Sequence, residues 1–132
     1  MNIDPTFAEA VRIGLTSRPR RIPSLYFYDD RGSKIFQEIM KLPEYYLSRA
    51  EAKIFEQYAF EISDYLQNHF NHPFDLIELG AGDASKTQVL LKTMMEADLD
   101  FRYRPTDVDP SILDVLKNRL NRELPALDVN TI

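Results

Sequence analysis

The chain has 132 residues, of which 44% are hydrophobic and 28% charged, the profile of a single globular domain able to bury roughly two-thirds of its unfolded surface. Sixteen basic against twenty-one acidic residues give a net charge of −5, with a sequence pI near 5.0, which argues against general nucleic-acid binding. The absence of cysteine excludes a disulfide scaffold, a thiolate zinc site and a cysteine nucleophile, and two histidines, His69 and His72, leave little for a metal centre, so none is expected.

At the N-terminus Asp4 caps a first helix with Pro5 at its first position, and Phe7, Val11 and Leu15 fall on one face. The segment SRPRRIPSLYFYDD, rich in proline, arginine and tyrosine, reads as an ordered loop. Ser33 then opens a short helix with Phe36, Ile39 and Met40 as its apolar face, ended by Pro43. Ser48 and Glu51 have the spacing of a capping box, and Ile54, Tyr58, Ile62 and Leu66 continue that helix at four-residue intervals.

Near residues 68–73 the period changes. FDLIELG, residues 74–80, is a short apolar run suited to a buried parallel strand. Residues 85–97 read as a helix with Val89, Leu90, Met94 and Ala97 inward, and residues 101–109 as the next strand and its exit. Asp109-Pro110 is a second cap-plus-proline start, leading a helix with Leu113, Leu116 and Leu120 inward, and ALDVNTI looks like a third strand. Strand, helix, strand, helix, strand in that order implies a parallel sheet with right-handed crossovers.

Glu78-Leu-Gly80-Ala-Gly82-Asp-Ala-Ser85-Lys86-Thr87 lies at the carboxyl end of the first strand, where a βα ligand site belongs. Glycines there let backbone approach a ligand, and Lys86 offers a counter-charge. A turn without a ligand has the same composition. Ser85 stands where a dinucleotide fingerprint has its third glycine, which disfavours a nicotinamide or flavin fold. An acidic residue such as Glu78 just before the glycine turn instead suits S-adenosylmethionine. Asp107, at the end of the second strand, can accept hydrogen bonds from both hydroxyls of a ribose. Asp109 has an equally good explanation as a helix cap. Tyr26 and Tyr28, with Tyr45 and Tyr46, either cover the amphipathic helices or converge on one pocket. Arg18, Arg20 and Arg21 either clamp a carboxylate or, the simpler reading, are solvated loop charges.

Three stretches, GLTSRPRRIPSLYFYDDRGSKIFQEIMKLPEYYLSRAEAKI, FDLIELGAGDASKTQVLL and RPTDVDPSIL, resemble the N-terminal part of the histidine-specific, S-adenosylmethionine-dependent N-methyltransferases of ergothioneine biosynthesis. The resemblance covers about residues 8–120, and FYDDRGSKIFQEI with LPEYYLSRAE is far more specific than a glycine turn. It implies an α/β fold in which residues 1–72 form an N-terminal helical substrate-binding region. Residues 73–132 then form the first βαβαβ part of a Rossmann-like class I methyltransferase sheet. By matching position, Gly80, Lys86 and Asp107 are implied in cofactor binding, Tyr45 and Tyr28 in holding the amino-acid substrate, and Tyr28 as the candidate for orienting its amine; Gly82 and Glu78 join the cofactor-binding candidates from the glycine turn itself. The implied reaction is methyl transfer from S-adenosyl-L-methionine to the α-amine of histidine or a related amino acid, without a metal. The family's chains are longer, so the resemblance also implies a truncated sheet with one open edge, an incomplete active site, and a homodimer as one way to cover that edge. A non-catalytic binding module derived from the same fold is the alternative. No run of residues approaches the ~18 apolar positions of a membrane span, and the N-terminus lacks the order of a signal peptide, so a cytoplasmic location is expected.

Overall fold

The computed structural model describes residues 5–132; Asp4, the expected cap of the first helix, lies outside the described residues. Helix α1 spans Pro5–Thr16 and a single 3-10 turn spans Ser24–Phe27. Helix α2 follows at Asp30–Lys41 and helix α3 at Leu47–His69. Strand β1 is Phe74–Leu79, helix α4 Gln88–Glu96, strand β2 Phe101–Thr106 and helix α5 Pro110–Glu123. Among the described residues this is a mixed helix and strand fold of five α-helices and two parallel strands. The expected third strand appears only as a parallel bridge between Tyr103 and Val129, flanked by bonds from Tyr103 N to Asp128 O (2.9 Å) and from Asn130 N to Tyr103 O (3.0 Å).

The core gathers Leu90, Leu91 and Met94 of α4, Leu113, Leu116 and Leu120 of α5, Phe101 and Tyr103 of β2, and Leu124, Leu127 and Val129 after α5. Alternation decides which strand residues join it: Phe101, Tyr103 and Pro105 are buried, and Phe74 and Leu76 pack against the same cluster. The opposite face of β1 corrects the expectation of a fully buried strand. Ile77 is 58% and Leu79 81% exposed, because nothing among the described residues packs over them. On that face Asp75 instead pairs with Arg102 (2.7 Å) and Arg104 (3.4 Å). Strand β1 has β2 as its one strand partner among the described residues. The accessible surface is 9736 Å². An ordinary folded monomer of 15.4 kDa exposes roughly 7200 Å².

Three of the helix starts depart from the expected positions. Asp29, not Ser33, caps α2, its carboxylate accepting from Gly32 N at 2.7 Å. Helix α3 begins at Leu47, one residue before Ser48, with no side-chain cap, and Glu51 reaches away to Lys86. Helix α4 begins at Gln88, three residues later than expected, after Ser85, Lys86 and Thr87 have continued the glycine turn. The Asp109 cap of α5 forms as expected, accepting from Ser111 N at 3.0 Å.

The inward faces also shift. Helix α3 packs along α4 through Ala59 and Ser63, with Phe55, Ile62 and Leu66 beside them, while Ile54 and Tyr58 of the expected face are exposed. In α4, Leu91 rather than Val89 is buried. In α1 the expected stripe of Phe7 and Leu15 is exposed, and Gly14 is the buried residue, its carbonyl taking Arg21 N at 3.0 Å.

Ser63 is 1% exposed and its hydroxyl has no hydrogen-bond partner. A buried, unpaired hydroxyl costs desolvation without return, so Ser63→Ala should stabilise the fold by about 1 kcal/mol in urea unfolding. A loss of stability of that size would show that the hydroxyl is satisfied.

Candidate functional site

Strands β1 and β2 run parallel with Leu79 opposite Thr106, so their carboxyl ends are level and the residues that follow each strand meet. The carbonyl of Thr106 accepts from Gly80 N (2.9 Å) and Ala81 N (3.1 Å), which ties the glycine loop to the end of β2. Gly80 (φ 68°), Gly82 (φ 56°) and Ala84 (φ 54°) are all left-handed. A Cβ added to Gly80 or Gly82 would meet nothing within 4 Å, so these glycines serve conformation and leave open space above the backbone. Asp107 braces the loop, accepting from Gly82 N at 2.9 Å on one oxygen and from Asp109 N at 3.0 Å on the other. Asp83 accepts from Ser85 N at 2.9 Å, with Arg119 of α5 at 3.9 Å.

The helical half closes over this end of the sheet. Pro43 follows the end of α2, and Tyr45 N bonds to Leu42 O at 3.1 Å. Arg49 fastens the turn by donating to the carbonyls of Leu42 (2.8 Å) and Pro43. The Tyr45 ring meets Phe36 edge-on, with centroids 5.7 Å apart. Tyr28 sits just after the 3-10 turn and just before the Asp29 cap, where Gly32 passes so close to the Phe27 carbonyl that any Cβ would overlap it. Glu51 of α3 forms an ion pair with Lys86 beyond the glycine loop.

These elements enclose a cleft of about 1290 Å³. That exceeds the usual volume of roughly 300–1,000 Å³ for one ligand. Tyr28, Tyr45, Gly80, Gly82, Lys86 and Asp107 all line it, together with Phe36, Met40, Asp83, Ser85 and Ile112. Tyr28 is 55% exposed and Tyr45 half-buried, so neither serves as a core residue. Their phenols are available to a polar ligand.

Glu78 is not in the cleft wall. It shares the inward side of β1 with Phe74 and Leu76, and its carboxylate accepts from Thr87 Oγ1 at 2.7 Å and from the Tyr103 hydroxyl. Burial, and then the hydrogen bond to Glu78, pushes the Tyr103 phenol far above its ordinary range, so Tyr103 remains the donor. This cluster lies behind the glycine loop and ties β1, β2 and the approach to α4 together. Its signal in the sequence is parity: position 78 alternates with 74 and 76 and therefore faces the core. Three pairings had no local signal at all, namely Ser33 with Asp109, Glu51 with Lys86, and Thr87 with Glu78.

Of the remaining residues weighed in the sequence, His69 stacks on Tyr65 with ring centroids 3.9 Å apart, and His72 contacts the Pro73 carbonyl at 3.2 Å. Among the described residues no group of three or more histidine, aspartate or glutamate side chains is placed to hold a metal ion, and no helix is long and apolar enough to cross a membrane.

The open backbone above Gly80 and Gly82, the Asp107 carboxylate and the Lys86 ammonium lie on one cleft and offer a ligand close backbone approach, hydrogen-bond acceptors and a positive charge. Residues 7–132 match the model of a family described as histidine-specific, SAM-dependent methyltransferases. The histidine N-alpha-methyltransferase of Mycolicibacterium smegmatis is 37% identical over 122 residues, covering 92% of this chain and 36% of that protein. The protein of the same name from Mycobacterium tuberculosis is 34% identical over 119 residues, again covering 36% of its length. Ergothioneine biosynthesis protein 1 of Neurospora crassa is 32% identical over 96 residues, 73% of this chain and 10% of that protein. The chain thus spans about a third of the length of the two mycobacterial relatives.

The Ser33 hydroxyl, and then the Ser111 hydroxyl, hold the Asp109 carboxyl below the usual aspartate range. Its folded value lies below its unfolded one, so its contribution to stability is complete above about pH 4 and is lost as the pH falls through the folded value. Thermal unfolding followed from about pH 5 to pH 2 should therefore decline less steeply for Asp109→Asn than for the parent chain. Parallel acid limbs would remove Asp109 from the groups responsible.

Proposed function

The chain belongs to the histidine-specific, S-adenosylmethionine-dependent methyltransferase family, and from that premise we propose that the cleft holds S-adenosyl-L-methionine beside an amino-acid substrate. In this reading the whole protein methylates the α-amine of histidine, the substrate named for its mycobacterial relatives, in the cytoplasm. The observation that supports it most is the convergence of Tyr28 and Tyr45 from the helical half with Gly80, Gly82, Lys86 and Asp107 on one cleft. Strands β1 and β2 are then the opening of a Rossmann-like sheet. Residues 1–72 supply its substrate side and residues 73–132 its cofactor side.

Each residue has a distinct task. Gly80 and Gly82 let the backbone come within contact distance of the cofactor. Asp107 accepts from the ribose hydroxyls, and Lys86 neutralises the cofactor's carboxylate. Glu78 acts from behind, fixing the loop through Thr87 and Tyr103. The bound cofactor supplies a methyl group already activated on a sulfonium, so the protein's work is mainly alignment. An α-amine with a pKa near 8 is largely protonated at neutral pH, and it must present a free lone pair. Tyr45 binds the amino acid and Tyr28 orients that nitrogen through its phenol oxygen. No metal enters this scheme.

Because the chain spans 36% of these relatives, the 132 residues by themselves are proposed to bind the cofactor without turning it over. They would then behave as the binding module that the fold also allows. Calorimetric titration with S-adenosylhomocysteine should give saturable heat, and Asp107→Ala should weaken binding about tenfold or more. No heat at millimolar ligand would overturn the half-site reading, and unchanged affinity in the variant would remove Asp107 from the ribose role.

The open edge of β1 and the exposed Ile77 beside it are, on the same reading, the seam of a homodimer of the isolated chain. An unpaired strand edge with exposed apolar residues beside it is a surface that pairs with a second chain. Sedimentation should show a dimer at micromolar concentration that Ile77→Lys returns to monomer. A parent chain that sediments as a monomer throughout would dismiss the seam.

A further inference from the structure

The hydroxyl of Ser33 and the carboxylate of Asp109 meet at 2.6 Å although they are 76 positions apart in the chain. Neither needs the other for its own helix. Helix α2 is capped by Asp29 through Gly32 N, and α5 is capped by the other Asp109 oxygen, which takes Ser111 N (3.0 Å) and the Ser111 hydroxyl (2.7 Å). Asp109 is 6% exposed and Ser33 half-buried at the cleft, so the bond is partly shielded from solvent.

This bond is the middle link of a longer path. On one side, Ser33 N donates to Asp29 O at 2.8 Å, and Asp29 directly follows Tyr28. On the other, Asp109 N donates to one oxygen of Asp107 at 3.0 Å, while the second oxygen takes Gly82 N at 2.9 Å. An unbroken series of short contacts therefore joins the Tyr28 segment to the glycine loop. It runs through the buried carboxylate of one aspartate and the cleft-lining carboxylate of another.

We propose that Ser33 and Asp109 are positioning residues that hold the Tyr28 segment in register with Asp107 and the glycine loop, so that ordering one side of the cleft orders the other. Only the identity of the ligand rests on the methyltransferase reading; the coupling itself is a property of the unliganded chain. Ser33 borders the same cleft, with its hydroxyl committed to Asp109. It acts through Asp109 and Asp107 on one side and through Asp29 on the other.

Amide hydrogen exchange, read residue by residue by NMR on the 132-residue chain, tests the coupling without ligand. Ser33→Ala should speed exchange at the Gly82 and Asp109 amides about fivefold or more relative to core amides such as Leu91 and Leu116. Ser33→Thr, which keeps the hydroxyl, should restore the parent rates. Unchanged rates at Gly82 and Asp109 would overturn the proposal, and so would a uniform acceleration that includes the core, since that reports only lost stability. With S-adenosylhomocysteine added, the parent should gain protection at residues 27–33 as well as 80–87, and Ser33→Ala at 80–87 alone. Equal spread of protection in both proteins would overturn the coupling. Failure of the parent to bind would instead refute the cofactor assignment and leave the ligand-free measurement to decide.

Discussion

The register between β1 and β2 is the constraint on which the rest of the chain depends. Leu79 opposite Thr106 brings both strands to an end at the same level, and the Thr106 carbonyl then takes two consecutive amides of the glycine loop. A shift of one position would reverse the faces of β1, sending Phe74 and Leu76 to solvent and Ile77 and Leu79 inward. It would also break the buried cluster of Glu78, Thr87 and Tyr103. Tyr103 is fully buried, so its hydroxyl must find a partner inside, and only this register offers the Glu78 carboxylate. The same polar cluster that fixes the strands also fixes the entrance to α4, and with it the shape of the loop.

The second constraint is the close approach of α3 to α4. Ala59 and Ser63 are small enough to let the two helices pack along one another, and the N-terminal end of α3 is thereby carried to the glycine loop, where Glu51 pairs with Lys86. From there Arg49 fastens the preceding turn and sets Tyr45 over the strand ends. Helix α2 inherits its place from that turn. Its Phe36 and Met40 line the cleft rather than entering the core, which leaves apolar surface where a ligand can use it. Helix α1 is held more lightly, by contacts such as Phe7 on Tyr26 with centroids 4.8 Å apart.

The order of the elements was legible because period and punctuation agree: the β1 run, the Asp109-Pro110 start and the leucines of α5 stand where their pattern puts them. Helix starts were less legible for a specific reason. Ser33, Glu51 and Thr87 are side chains that commonly serve local capping, and in this fold each is taken by a distant partner. The face of α3 is legible in part: Ile62 and Leu66 pack against the core, while Ile54 and Tyr58 are exposed. A count of large apolar residues passes over Ala59 and Ser63, whose smallness selects them for the interface. In the site, Gly80 and Asp107 could be placed from the strand ends alone. The tyrosines could not, since the same residues suit a core. Glu78 was drawn toward the ligand by its neighbours in sequence, although strand parity turns it inward.

Asp107 shows how one carboxylate can serve both the fold and a ligand. An ionised aspartate has about four acceptor positions, and the internal bonds to Gly82 N and Asp109 N use one on each oxygen. One position on each oxygen is left, which is what a pair of adjacent hydroxyls requires. A ligand that used them would leave both internal bonds in place and would meet a loop already in shape, so little ordering would be charged against its affinity. The same arrangement makes an amide an unfavourable substitute here. Asparagine has one acceptor oxygen, and its NH2 would be set against either the Gly82 or the Asp109 amide, donor facing donor. The requirement for a full carboxylate at this position therefore follows from the backbone around it before any ligand is considered.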